Sequence, residues 1–263
     1  MNGMSGRETV ACLGSSSTAG NGQAFDWIGE LARSPRNARF YFQNFGVGGD
    51  LAYDALKRAD TVLAVHSDRV IVWIGGNDAL AMVSRKARRL LRIMKFAPRP
   101  TSEMNFDECL RELVRRIKSN GACVALCSLA SIGEAPTADQ SFQARLNSSI
   151  RDLSAEIRRI ARDEVVEYIP IFDAFQAAIE AEPGRAFTEF RLLPLYRDAF
   201  RTMILRMSPD DVARLNGWRF HSDGIHLNRR GGMIAAELIQ TYLDGRQPSA
   251  ASMAQSRHPE GSK

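Results

Sequence analysis

Three short apolar runs, each halted by a cluster of glycines and serines, constrain this chain more than any other feature. Val10 to Leu13 stops at Gly14-Ser15-Ser16-Ser17-Thr18-Ala19-Gly20, Phe40 to Phe45 at Gly46-Val47-Gly48-Gly49, and Val70 to Ile74 at Gly75-Gly76-Asn77-Asp78. Runs of this kind, apolar or, as in Phe40 to Phe45, aromatic-rich rather than alternating with polar residues, suit strands covered on both faces. The glycines permit the sharp turns that follow them. Ala122 to Leu126 and Val165 to Ile171 extend the series, with Pro170 near the end of the last run.

Between these runs the apolar residues fall at helical intervals. Gln23 to Arg33 carries Phe25, Ile28 and Leu31 on one stripe. Leu51 to Leu63 reads as a helix that Asp50 is placed to cap. Phe106 to Lys118, Ala138 to Ala161 and Ile234 to Leu243 complete the helical set. Strands alternating with helices imply an α/β fold, a three-layer α/β/α sandwich around a central parallel sheet. A chain of 263 residues is long enough for one such domain, expected over residues 1–246.

Two segments break the alternation and read as insertions near 85–100 and 185–220. Arg85 to Arg99 holds seven basic residues among Leu90, Leu91, Ile93, Met94 and Phe96. Phe187 to Met207 places Tyr196, Phe200, Met203 and Met207 at helical spacing, which suits either ordinary packing or a cap over a site. Residues 247–263 are small and polar without period, so they are expected to be disordered.

Composition narrows the function classes. No apolar run approaches the ~20 residues that span a bilayer, and Met1 to Glu8 is polar with no visible signal peptide, so a cytoplasmic protein is expected. The net charge of +5 invites nucleic acid, but no recognition motif or interleaved basic and aromatic strand supports it. The basic stretch 85–99 reads as a solvated helix face, with weak contact to an anionic membrane surface as the sharper alternative. Cys12, Cys109, Cys123 and Cys127 lack CxxC spacing and nearby histidines, which favours buried reduced thiols over a metal site. The turn Gly46-Val47-Gly48-Gly49 fails the G-x-G-x-x-G spacing, and no phosphate-binding loop is present. No metal or organic cofactor is expected.

In a parallel α/β sheet ligands bind at the carboxyl ends of the strands. The three glycine-rich turns therefore bring the Ser16 hydroxyl, the Gly49 backbone N–H and the Asn77 amide towards one rim. Far along the chain, Asp223-Gly224-Ile225-His226 sets a carboxylate three residues before an imidazole. A carboxylate so placed can orient the ring and fix its tautomer, leaving a general base in want of a nucleophile. This loop is expected to follow the last strand and to complete the set. His221, two residues before Asp223, is the rival base, and His66 reads as a plain polar residue.

These four blocks resemble those of the SGNH hydrolases, the GDSL esterase/lipase family. Leu13 to Gly20 matches the nucleophile block, and Asn44-Phe45-Gly46-Val47-Gly48-Gly49-Asp50 resembles the glycine block. Gly75-Gly76-Asn77-Asp78 matches the G-x-N-D block, and Asp223-Gly224-Ile225-His226-Leu227-Asn228 the D-x-x-H block. The resemblance implies a flavodoxin-like SGNH fold, a Ser16–His226–Asp223 triad, and an oxyanion hole formed by the Ser16 N–H, the Gly49 N–H and the Asn77 side chain. It implies a serine esterase acting on a small-molecule ester through an acyl-enzyme, with a short to medium acyl chain. Thioesterase, lysophospholipase and carbohydrate O-deacetylase activities stay open on the same site, as does a catalytically silent binding protein. The chain departs from the family pattern in one place, where Ser15 stands for the usual aspartate.

Overall fold

The computed structural model describes residues 6–20, 24–95, 103–135, 142–188, 197–198, 200–201 and 204–246. Five strands form one parallel sheet: β1 (Glu8–Gly14), β2 (Phe40–Gly46), β3 (Arg69–Trp73), β4 (Cys123–Cys127) and β5 (Glu167–Ile169). Their order across the sheet is β2-β1-β3-β4-β5. The chain thus leaves β1 towards one edge and crosses back over it to reach β3. That reversal opens a crevice beyond the carboxyl ends of β1 and β3, where doubly wound folds place their ligands. The register sharpens the point: Gly14 pairs with Gly46 on one side and with Trp73 on the other. The three strands therefore end in one row, and the turns that follow start side by side.

Helices cover both faces. α2 (Trp27–Arg33), α9 (Ile171–Ala181) and α11 (Arg229–Leu243) pack together on one face. On the other lie α3 (Ala52–Lys57), α4 (Ala59–Leu63), α7 (Glu103–Ser119) and α8 (Phe142–Asp163). Val10 to Leu13 have no solvent exposure, as expected for the centre of a two-faced core, whereas β2 at the sheet edge is mostly half-buried.

The expected elements are present with shifted ends, and several differences are instructive. The predicted helix from Leu51 to Leu63 is broken at Arg58 into α3 and α4. Arg58 is drawn inward, where its guanidinium donates to the Asp50 carboxylate at 2.6 Å and to the Gly14 carbonyl at 3.1 Å. Asp50 consequently does not cap α3. Asp54 accepts the Leu51 N–H at 3.0 Å, and Asp78, from α5 (Gly76–Val83), accepts the Ala52 N–H through both oxygens. Asp78 therefore reaches across to the start of a neighbouring helix. Its burial pushes the carboxyl up to about 7.

The predicted strand Val165 to Ile171 is shorter, because Pro170 begins a helix at Ile171. The D-x-x-H loop does not directly follow the last strand. It comes after α9 and α10 (Pro209–Asn216), immediately before α11. α10 opens on a Ser208/Asp211 capping box with proline at its first turn, a start signal present in the sequence. Cys123 is exposed, against the expectation that all four thiols are buried.

α6 (Arg85–Lys95) is the predicted basic stretch, seated through Ala87 and Leu91. Residues 96–102 lie outside the described residues, as do Tyr196, Met203 and the tail 247–263. Among the described residues, no helix is long and apolar enough to cross a membrane.

Candidate active site

Ser16 occupies the first position of α1 (Ser16–Ala19), one residue beyond the sharp turn at Ser15. The turn is close-packed because glycines flank it. A Cβ on Gly14 would run into the Thr18 side chain and the Trp73 carbonyl, and one on Gly46 into the backbone of Ala19. The Asn44 amide donates to the Thr18 carbonyl at 3.0 Å and the Ala19 carbonyl at 3.2 Å, tying β2 to the end of α1. Ser15 is buried, and its carbonyl accepts the Thr18 and Ala19 N–H groups at 3.1 and 2.9 Å. Its hydroxyl makes no capping bond, so the turn is held by backbone and by Asn44 rather than by that side chain.

The residues 219–228 fold into a small hairpin. His221 and Leu227 form an antiparallel bridge, and the Ser222 N–H donates to the His226 carbonyl at 2.7 Å. Gly224 sits at the tip with φ of +94°, and a Cβ there would strike Trp218 and Phe187. The three-residue spacing of Asp223 and His226 has a physical reason. Asp223 Oδ1 accepts the N–H groups of Ile225 and His226 at 2.9 and 2.8 Å, closing a local turn. Its other oxygen, Oδ2, lies 2.7 Å from His226 Nδ1. One carboxylate thus shapes the loop and aims the ring. The Phe25 N–H donates to the Leu227 carbonyl at 2.8 Å, docking the hairpin beside the segment that follows α1.

The opposite ring nitrogen, His226 Nε2, lies 3.1 Å from Ser16 Oγ. Residues 210 positions apart thus form one hydrogen-bonded chain from carboxylate to imidazole to hydroxyl. Burial alone would raise the Asp223 carboxyl and lower the His226 ring. The attraction between them prevails, holding Asp223 below the usual carboxylate range and His226 above the usual histidine value.

Gly49 has φ of +79°, a conformation that favours glycine. Asn77 is the second residue of α5, and its Nδ2 donates to the Asp50 carbonyl at 3.0 Å. An amide NH₂ has two donors, so this bond anchors the side chain to the Gly49 turn and leaves one donor free. Among the described residues, neither the Ser16 nor the Gly49 N–H is bonded to another group.

His221, the rival base, is elsewhere. It is fully buried, with Nδ1 3.0 Å from Glu134 Oε1 and Nε2 2.9 Å from the Ser131 carbonyl. Both ring nitrogens are engaged, so no nucleophile can approach one. Burial would raise Glu134, but the His221 ring and the backbone N–H groups around it hold the carboxyl low. Glu134 and Arg58 were not anticipated, and their signal is purely tertiary, because neither sits at a fixed spacing from the blocks it serves; Asn44 lies within the glycine block, but its bonds to Thr18 and Ala19 cross the fold. Among the described residues, no cluster of three or more His, Cys, Asp or Glu side chains is arranged to hold a metal ion.

A parallel sheet in this order, with a serine after β1 and a carboxylate–imidazole loop before the last helix, defines a serine hydrolase of the SGNH class. The chain matches the GDSL-like lipase/acylhydrolase family over residues 12–232 and belongs to that family. It is a carboxylic ester hydrolase by that membership. Among solved structures, it is similar to Axe2, an acetylxylan esterase from Geobacillus stearothermophilus, with 16% identity and a TM-score of 0.61 over 91% of this chain and 95% of that one. LAE5, an α/β hydrolase from the metagenome of Lake Arreo, gives 18% identity and 0.58 over 92% and 97%. The acetyl xylan esterase AlAXEase gives 18% and 0.58 over 89% and 99%. No curated protein sequence matches the chain.

Proposed function

We propose that this protein hydrolyses carboxylic esters of short to medium acyl chains through an acyl-enzyme on Ser16. The observation that carries the reading is the 3.1 Å approach of His226 Nε2 to Ser16 Oγ, with Asp223 behind the ring. In the neutral ring, Nδ1–H donates to Asp223 and Nε2 accepts the Ser16 hydroxyl. As Oγ attacks the ester carbonyl, its proton passes to Nε2. The carbonyl oxygen takes the negative charge and meets the Ser16 N–H, the Gly49 N–H and the free Asn77 donor. Collapse breaks the ester C–O bond, and the departing alkoxide takes the proton from Nε2. Water then repeats the two steps on the acyl-enzyme, restoring the hydroxyl and releasing the acid.

The hydrogen-bonded chain argues against a silent binding protein. Among the enzymatic alternatives, carbohydrate O-deacetylation gains support from the structural relatives, two of which are named acetylxylan esterases. That support is an analogy of fold, since function lives in the site. The test is a substrate panel run on the parent and Ser16→Ala: p-nitrophenyl esters from acetate to decanoate, acyl-CoAs and acetylated xylo-oligosaccharides. Hydrolysis that persists in Ser16→Ala sinks the mechanism. A preference for acyl-CoA over every oxygen ester sinks the substrate class.

The proposal extends to a weak contact between α6 and an anionic membrane surface. Arg88 donates to the carbonyls of Ala81 and Met82, but Arg85, Lys86, Arg89 and Arg92 make no ion pair among the described residues, and Ile93 is 63% exposed. By contrast, Arg111, Arg115, Arg158 and Arg159 on α7 and α8 are all paired with carboxylates. Unpaired basic groups beside an exposed apolar residue suit an anionic interface. Co-sedimentation with phosphatidylserine-containing vesicles, lost in an Arg89→Glu/Arg92→Glu variant, is the expected result. Equal binding to pure phosphatidylcholine vesicles would refute it.

A further inference from the structure

Glu134 is fully buried, and the backbone of three consecutive residues curls around its carboxylate. Oε2 accepts the Arg219 N–H at 2.8 Å, while Oε1 accepts the Phe220 N–H at 2.6 Å and the His221 N–H at 2.9 Å. The His221 ring adds a fourth contact to the carboxylate, at Oε1 and 3.0 Å, and its far nitrogen is tied to the Ser131 carbonyl. These residues are the root of the hairpin that carries Asp223 and His226. The same segment also holds the hairpin's tip, because the Gly133 N–H donates to the Gly224 carbonyl at 2.9 Å. Glu134 is itself fixed: its N–H donates to the Arg185 carbonyl at 2.8 Å, and its carbonyl accepts the Gly184 N–H at 2.7 Å. Gly184 must lack a side chain, since a Cβ there would strike the Glu134 carboxylate.

We infer that Glu134 is a positioning residue for ester hydrolysis, its buried carboxylate holding the 219–228 hairpin so that His226 Nε2 meets Ser16 Oγ. The inference rests on the reading of His226 as the base. For stability alone a buried polar pair is often replaceable by apolar packing. Apolar side chains, however, cannot accept three backbone N–H groups in a row. Placement matters here because the proton passes across a single hydrogen bond, and a displacement of about 1 Å costs about 10²-fold in rate.

Glu134→Gln keeps the shape, but its NH₂ group cannot accept, so at least one of the three N–H groups loses its partner. Glu134→Asp keeps the charge and shortens the reach. The measurement is kcat and KM on a soluble p-nitrophenyl ester, with kcat expressed per active site labelled to completion by a fluorophosphonate. The expected result for Glu134→Gln is a fall in kcat per labelled site of roughly 10- to 100-fold, with KM within about twofold of the parent. Glu134→Asp should lie between the two, and it carries the test if Glu134→Gln does not fold. A merely structural role would reduce the number of labelled sites and leave each one at the parental kcat; that outcome in both variants overturns the inference. His226→Ala, run alongside, separates the two readings. If it stays active, the base assignment has failed; if it is dead while both Glu134 variants turn over normally, only the positioning role has failed.

Discussion

Two histidines five residues apart on one hairpin each pair with a carboxylate, and they differ in what the second ring nitrogen meets. In His226–Asp223 it meets a hydroxyl that can give up a proton. In His221–Glu134 it meets the Ser131 carbonyl, which can only accept. On the proposed reading the first pair is an acid–base device and the second a brace. A carboxylate partner therefore does not by itself make a histidine a base. The decisive feature is a free nitrogen within reach of a nucleophile, and this depends on tertiary placement.

Exchanging the roles of the two pairs is the strongest way to break the comparison. Ser16→Ala and His226→Ala should each lower kcat by about 10⁶-fold, because members of such a unit fail together. Ser16→Ala should not change the melting temperature much, since that hydroxyl does not fill the core, whereas His226→Ala should lower it by leaving the buried Asp223 carboxylate without its ring partner. His221→Ala should act first on stability, removing about 1–3 kcal/mol because the buried Glu134 carboxylate loses one of its four contacts and the Ser131 carbonyl loses its partner. Melting curves and kcat on the same preparations decide between them. A stable, inactive His221→Ala beside an active His226→Ala would reverse the assignment.

Asp223→Asn comes next, with an expected loss of about 10⁴-fold in kcat. An asparagine can still accept the Ile225 and His226 N–H groups through its Oδ1. Its NH₂ then faces Nδ1 and forces the proton to Nε2, the tautomer that cannot take the Ser16 proton. A loss under tenfold would mean that the ring is oriented without the carboxylate.

How much of this was legible in the sequence follows from which interactions are local. The sheet could be read because the strands announce themselves by short apolar or aromatic-rich runs, the first three of which stop at glycines. The D-x-x-H pair could be read because one carboxylate makes both the turn and the ring contact within four residues. The strand order and register that align Gly14, Gly46 and Trp73 have no local signature. The break at Arg58 was invisible for the same reason, because its cause is a pull from Asp50 and Gly14 across the fold. α9 was missed because its first residue belongs to an apolar run that suits a strand equally well. α10 has a start signal in its Ser208/Asp211 capping box, but its few apolar residues give no helical stripe. His221 and Glu134, 87 residues apart, offered nothing to connect them.

The oxyanion side tests whether the open pair acts on a carbonyl. Asn77→Ala should lower kcat by roughly 10²–10³-fold with little change in KM, because the amide serves the developing charge rather than the bound ester. Steady-state kinetics on a p-nitrophenyl ester separate the two constants. A raised KM with unchanged kcat would make Asn77 a binding residue and leave the hole to the Ser16 and Gly49 N–H groups.

The smallest expected effect is the most specific to the comparison. Only a neutral His226 can accept the Ser16 proton, so kcat/KM should rise with pH as that ring loses its charge. The ring is held above the usual histidine value because Asp223 outweighs the cost of burial. The rising limb should therefore lie above ~6.5, the value for an unperturbed histidine. Removing the negative charge removes the cause, so in Asp223→Asn the residual activity should rise along a limb displaced to lower pH. Profiles of kcat/KM from pH 4 to 9 for the parent and Asp223→Asn measure both displacements. A parental limb below 6.5, or one that does not move in Asp223→Asn, would mean that the carboxylate is not what charges the base.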